Sequence, residues 1–177
     1  VAGILKDRNP ASRFAALRAS KDPQAKFLWA IFRDVFHYAA VQLESIADNA
    51  RDVDLAMRWG FGWAQGPFEI WQSAGWADIA RAIAADIAAG ETMSDTPLPA
   101  WVLEDREGVH TPQGSWSPRR KAYVPRSALP VYQRQLYPDR VLGEAPDDRG
   151  ETLWENAGVR LWRRADQDAR IGIVSIT

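Results

Sequence analysis

The chain has 177 residues, 46% of them hydrophobic and 25% charged, enough for a globular domain with a proper core and an appendage. Its formal net charge of −1 gives no whole-chain field that favours nucleic acid or an anionic membrane. Cysteine is absent, which excludes a disulfide framework and thiolate metal sites, and no apolar run reaches the roughly 18 to 20 residues that span a bilayer.

The N-terminus VAGILKDRNP has neither a signal-peptide core nor an initiator Met, so a cytoplasmic location and a piece of a longer protein are the default expectations. From Asn9 to Gly90 the apolar residues follow helical spacing. Asn9-Pro10 opens a short helix through Leu17, with Pro10 tolerated where an amide N–H would have no intrahelical partner. Asp22-Pro23 repeats the signal, and the run from Gln24 to Ala47 is apolar on nearly every side, which predicts a buried helix. Asn49, with Asp52 three residues on, predicts an N-cap and a helix through Trp59.

The stretch GFGWAQGPFEIWQSAGW, residues 60 to 76, then crowds glycines among aromatics. Gly60, Gly62 and Gly66 are expected to turn the chain, Gly60 and Gly62 through positive φ, and Pro67 to start the next helix. Phe61, Trp63, Phe68, Trp71 and Trp76, each worth about 150 to 250 Å² of buried surface, are expected to fill the corner. WADIARAIAADIAA, from Trp76 to Ala89, reads as a last amphipathic helix. Glu91 to Gly150 is rich in Pro and charge and irregular apart from short possibilities at Ala100 to Glu104 and Leu129 to Leu136; it reads as a wrapping or linking segment. From Thr152 onward ETLWE, VRLWRR and RIGIVSIT read as a small β meander.

Reactive constellations are scarce. The two histidines, His37 in the buried helix and His110 in a loop, are too few for a histidine-rich metal site, and no nucleotide-binding glycine loop, nucleophile elbow or zinc-protease signature occurs. Arg119, Arg120 and Lys121, beside Trp116 and Tyr123, have the composition of a phosphate site, against a plainer reading as a solvated turn between two extended segments. Asp52, Asp54, Glu69 and Asp78 sit near helix starts, where capping explains acids as well as catalysis does.

The motif DVDLAMRWGFGWAQGPFEIWQSAGW resembles the C-terminal helical domain of the 3-hydroxyacyl-CoA dehydrogenase family, through Val53-Asp54, Ala56-Met57, Gly60, Gly62, Gly66-Pro67-Phe68 and Gly75. The resemblance covers roughly Ala25 to Gly90, and the flanking stretches resemble the middle of fused bacterial β-oxidation proteins in which a dehydrogenase precedes a crotonase-type enoyl-CoA hydratase module. It implies a mainly α fold, with a helical domain of the 6-phosphogluconate-dehydrogenase-like type over 1–90, a linker over 91–150 and, over 151–177, a β meander that begins a crotonase-like module. Where the family's catalytic copy has a substrate-facing Asn in the long helix this chain has Trp29-Ala30, and Tyr38 and Gln72 stand where the family has Glu and Asp.

These departures imply a second, degenerate copy: no catalytic, metal-binding or NAD-binding residue in this chain, a structural motif of Asp54, Met57, Gly60, Gly62, Gly66, Pro67 and Phe68, and NAD held by the parent protein. Partners implied are the parent's Rossmann and crotonase modules and an acyl-CoA substrate, whose CoA phosphates would meet Arg119, Arg120 and Lys121, with a homodimer also open. The competing reading is a free-standing helical interaction or ligand-binding module with a Trp-rich surface.

Overall fold

Three helices open on the side chains the sequence marks as caps. Asn9 accepts from the Ser12 amide at 3.2 Å ahead of α2 (Pro10–Ala19), Asp22 from Gln24 at 2.8 Å ahead of α3 (Pro23–Ile46), and Asn49 from Arg51 at 3.0 Å ahead of α4 (Ala50–Phe61). A single turn, α1 (Ala2–Leu5), precedes them, and α5 (Pro67–Ser73) and α6 (Trp76–Ala88) follow. The computed structural model describes residues 1–135, 138–144, 150–156, 158–164 and 170–176. It divides into a larger unit, Val1–Glu144, and a smaller one, Ala145–Thr177. Helix is the dominant element, and none among the described residues is long and apolar enough to cross a membrane.

The larger unit is built on an aromatic stack. Trp71 of α5 and Trp76 of α6 lie face to face with centroids 4.2 Å apart, flanked by Phe36 of α3 at 5.5 Å and by Trp101 at 6.1 Å. Trp101 belongs to α7 (Ala100–Leu103), and the Trp76 indole donates to the Val102 carbonyl. Each indole N–H in the pair is bonded, since Trp71 donates to the Trp76 carbonyl at 3.0 Å, so the stack carries its polar atoms into the core without loss.

The segment expected to be irregular contains a small antiparallel sheet, β1 (His110–Thr111), β2 (Gly114–Ser117) and β3 (Ala122–Val124), followed by the turn-length α8 (Pro130–Gln133). Its strands are two to four residues long, too short for alternation to show in the sequence. In the smaller unit β4 (Gly150–Glu155), β5 (Val159–Arg164) and β6 (Ile173–Ile176) pair antiparallel in chain order, with a bulge between Thr152 and Trp154. The separator expected between the last two strands, Ala165 to Asp168, lies outside the described residues.

Several expectations require correction. α4 runs on to Phe61, so Gly60 is inside the helix, and the chain turns at Gly62, whose φ of 70° makes it the left-handed cap. Gly60 does not take the positive φ expected of it, and Gly66 enters α5 with φ −78°. Phe61 is 75% exposed and Trp63 half-buried, so only Phe68, Trp71 and Trp76 of the five expected aromatics fill the core. Nor is α3 buried all round: Phe27, Ile31, Tyr38 and Ile46 are exposed along one face.

Candidate functional site

Asp54 leaves the second turn of α4 and is wholly buried. Its Oδ1 accepts from the Phe68 amide at 2.9 Å and its Oδ2 from the Glu69 amide at 3.0 Å, which caps α5 from a neighbouring helix, as Gly66, the residue before α5, has no side chain to do so. A carboxylate at a helix N-terminus meets two unpaired amides and the positive end of the dipole together. The explanation for Gly66 follows: a Cβ there would collide with the backbone Cα and the Cβ of Asp54, so glycine is required by close approach, not by backbone conformation. Glu69 completes the corner, with Oε2 accepting from the Gly66 amide at 2.7 Å, Oε1 from the Leu142 amide at 2.8 Å, and the Arg58 guanidinium 3.7 Å away.

The third partner of Asp54 comes from β1. His110 Nε2 lies 2.7 Å from Asp54 Oδ2, and His110 Nδ1 lies 2.8 Å from the Ser115 hydroxyl on β2. With Asp54 ionised, Nε2 carries the proton and donates, while Nδ1 accepts from Ser115. Burial pushes the Asp54 carboxyl above its ordinary range, and the His110 and Phe68 N–H groups pull it back. Gln72 of α5 pins the strand in place: its Oε1 accepts from the Val109 and His110 amides, both at 2.9 Å, and its Nε2 donates to the His110 carbonyl. The contact between His110 and Asp54 is not signalled locally in the sequence, because 56 residues separate them.

Aspartate, imidazole and hydroxyl in series have the connectivity of a nucleophile relay. Accessibility decides against that use. Asp54 and Ser115 have no exposed surface and His110 only 2%, so no carbonyl carbon can reach the Ser115 oxygen. The network instead joins α4, the start of α5 and the β1–β2 hairpin.

His37 is bonded in a comparable way, Nε2 donating to the Thr96 carbonyl at 2.7 Å. Trp29, at the position where the resemblance calls for a substrate-facing Asn, donates to Asp86 at 2.9 Å, and Arg33 reaches the same carboxylate at 3.3 Å. Glu144 is held between Arg51 and Arg126, and although burial opposes it, the two guanidiniums hold its carboxyl below the usual range.

Arg119 donates to the Glu44 carbonyl at the end of α3 and lies 3.8 Å from Asp48, whereas Arg120 and Lys121 are exposed in the β2–β3 turn, Lys121 with φ 50°. Met57, with Trp63 and Met93, lines an apolar groove of about 820 Å³ along the exposed face of α3. Gly62, Gly66, Pro67 and Phe68 serve the corner, and among the described residues no strand runs through a glycine turn into a helix in the manner of a dinucleotide cradle. No three His, Asp or Glu side chains among the described residues gather as a metal site.

A stretch of 93 residues, 52% of the chain, is 33% identical to a Bacillus subtilis (strain 168) protein named "Probable 3-hydroxyacyl-CoA dehydrogenase". The chain is related in sequence to a dehydrogenase. The match spans only 11% of that relative's length. No family model matches, and no solved structure matches significantly.

Proposed function

We propose that this chain is a non-catalytic helical scaffold from an NAD-dependent, cytoplasmic 3-hydroxyacyl-CoA dehydrogenase of fatty-acid β-oxidation. Residues 1–90 correspond in this reading to a degenerate helical domain of the 6-phosphogluconate-dehydrogenase-like type, 91–150 to a linker and 151–177 to the start of a crotonase-like module. The scaffold packs on the catalytic domains of the parent and helps to shape the acyl-CoA cleft, with Arg119, Arg120 and Lys121 nearest the CoA phosphates.

The similarity to the dehydrogenase supports the family side of the reading. The single observation that carries the scaffold side is the engagement of Asp54, His110 and Ser115 with one another and with the helix α5 amides, out of reach of any substrate. Hydride transfer needs a positioned nicotinamide and a base that reaches the hydroxyl proton. Neither can be assembled from these side chains.

Calorimetric titration of the purified chain, first with NAD and then with a CoA thioester, tests the reading. No saturable NAD binding is expected, and any thioester binding falls as salt rises because it is electrostatic. Saturable NAD binding in the micromolar range would overturn the assignment.

A further inference from the structure

Trp59, near the end of α4, is exposed over 66% of its surface, yet its indole is not left to turn. Nε1 donates to Asp139 Oδ2 at 2.8 Å, and Asp139 in turn lies 3.7 Å from the Arg58 guanidinium. That bond takes up the only polar atom of the indole, so what the ring offers outward is its face. A ring already fixed in place loses little freedom when a ligand covers it.

The ring borders a cavity of about 380 Å³, at the small end of the range for ligand sites. Leu55 and Ala56, four and three residues before Trp59, lie on the same face of α4 and share the lining, and Tyr132 of α8, 48% exposed, adds a second aromatic. Among the described residues the Tyr132 hydroxyl and the Gln135 side-chain amide, both at this cavity, have no hydrogen-bond partner. Arg126 gives one nitrogen to Glu144 and has further N–H groups for a ligand oxygen.

Charge narrows the class of ligand. The lining carries Arg51 and Arg126 against Asp52 and Asp139, which sums to zero, and both guanidiniums are already paired with Glu144. A phosphate or carboxylate therefore finds no uncommitted cation, and an ammonium group would meet the two guanidiniums. A small uncharged ligand must then bring many hydrogen-bonding groups together with a flat apolar face. A pyranose does both: its hydroxyls donate and accept around the ring edge, and its C–H groups, positive in partial charge, pack on the negative face of an indole.

We infer that the cavity between α4 and α8 binds a neutral carbohydrate, its pyranose C–H face against Trp59 and its hydroxyls bonded by Tyr132, Gln135 and Arg126. This inference does not rest on the dehydrogenase reading.

Calorimetric titration of the full chain with maltose, cellobiose and N,N′-diacetylchitobiose tests it, with glucuronate and adenosine as the charged and planar alternatives and far-UV circular dichroism to verify folding of every variant. At least one of the disaccharides is expected to bind saturably with Kd below about 20 mM. Trp59→Ala should weaken that binding at least about tenfold, and Trp59→Phe, which keeps a ring face, by less. Gln135→Leu should weaken it about threefold or more, at a side chain whose loss disturbs no bond within the described residues. No saturable binding of any disaccharide up to about 100 mM overturns the inference. So does binding indifferent to Trp59→Ala, and so does glucuronate or adenosine bound more than about tenfold tighter than every disaccharide, which would assign the cavity to an anion or a nucleobase.

Discussion

Replacing Asp54 by Ala removes one acceptor group from three buried donors at once: the Phe68 amide, the Glu69 amide and His110 Nε2. A buried donor left without a partner costs about 1 to 3 kcal/mol, so the three together amount to about 3 to 9 kcal/mol. Water entering the space of the lost carboxylate recovers part, and the expected loss is about 4 kcal/mol, much of the stability of an ordinary domain. Urea unfolding followed by tryptophan fluorescence measures it directly, because Trp71 and Trp76 sit in the core beside α5. A second variant, His110→Ala, and the double variant complete a thermodynamic cycle. Once His110 is absent, Asp54→Ala strands two donors and not three, so the coupling should be about 1 to 3 kcal/mol in favour of the pair. A loss under about 1 kcal/mol for Asp54→Ala, or a coupling within the roughly 0.5 kcal/mol of ordinary additivity, would refute the view that this network joins the helices to the hairpin.

Two glycines six residues apart should respond oppositely to alanine. Gly66→Ala forces Asp54 to move and should cost about 1 to 3 kcal/mol in a urea titration, whereas Gly60→Ala, in helix α4 with open space around it, should stabilise by about 0.5 to 1 kcal/mol. Phe68→Ala should cost about 3 to 5 kcal/mol as a fully buried ring, and half-buried Trp63→Ala clearly less; equal melting shifts would remove the distinction. Glu144 has a carboxyl held below its unfolded value of 4.5, so it contributes stability above that pH, which is lost as pH falls through its lower folded value. The stability gap between wild type and Glu144→Gln should thus be fully developed near neutrality and close in acid; a gap unchanged down to about pH 2 would disprove this linkage.

Local chemistry was legible where it acts over a few residues. Asn9, Asp22 and Asn49 cap the helices the sequence suggests, because a cap needs only its own amides two or three residues on. The aromatic corner was legible in composition but not in assignment: α4 runs two residues further than expected, so Phe61 is its last residue and is exposed to solvent. Gly66 was legible as the residue where the chain re-enters a helix, but the close approach of Asp54 that requires glycine there leaves no trace in the residues around it. The exposed side of α3 was misread because an apolar face predicts burial without saying whether the burying surface belongs to the same chain. His110 and Ser115 were out of reach for a related reason, as neither has a neighbour in sequence that points to Asp54.

The reach from Asp54 to His110 also sets an order of events in time. During synthesis at about 5 to 20 residues per second, the 56 residues between them take roughly 3 to 11 s to add, far longer than a helix takes to form. For that interval α4 and α5 can assemble with a carboxylate that already caps α5 but still faces water where the imidazole will dock. The hairpin therefore arrives as the closing piece, and a ribosome-bound chain stalled before His110 should display the corner as helical yet open to hydrogen exchange at the Phe68 and Glu69 amides.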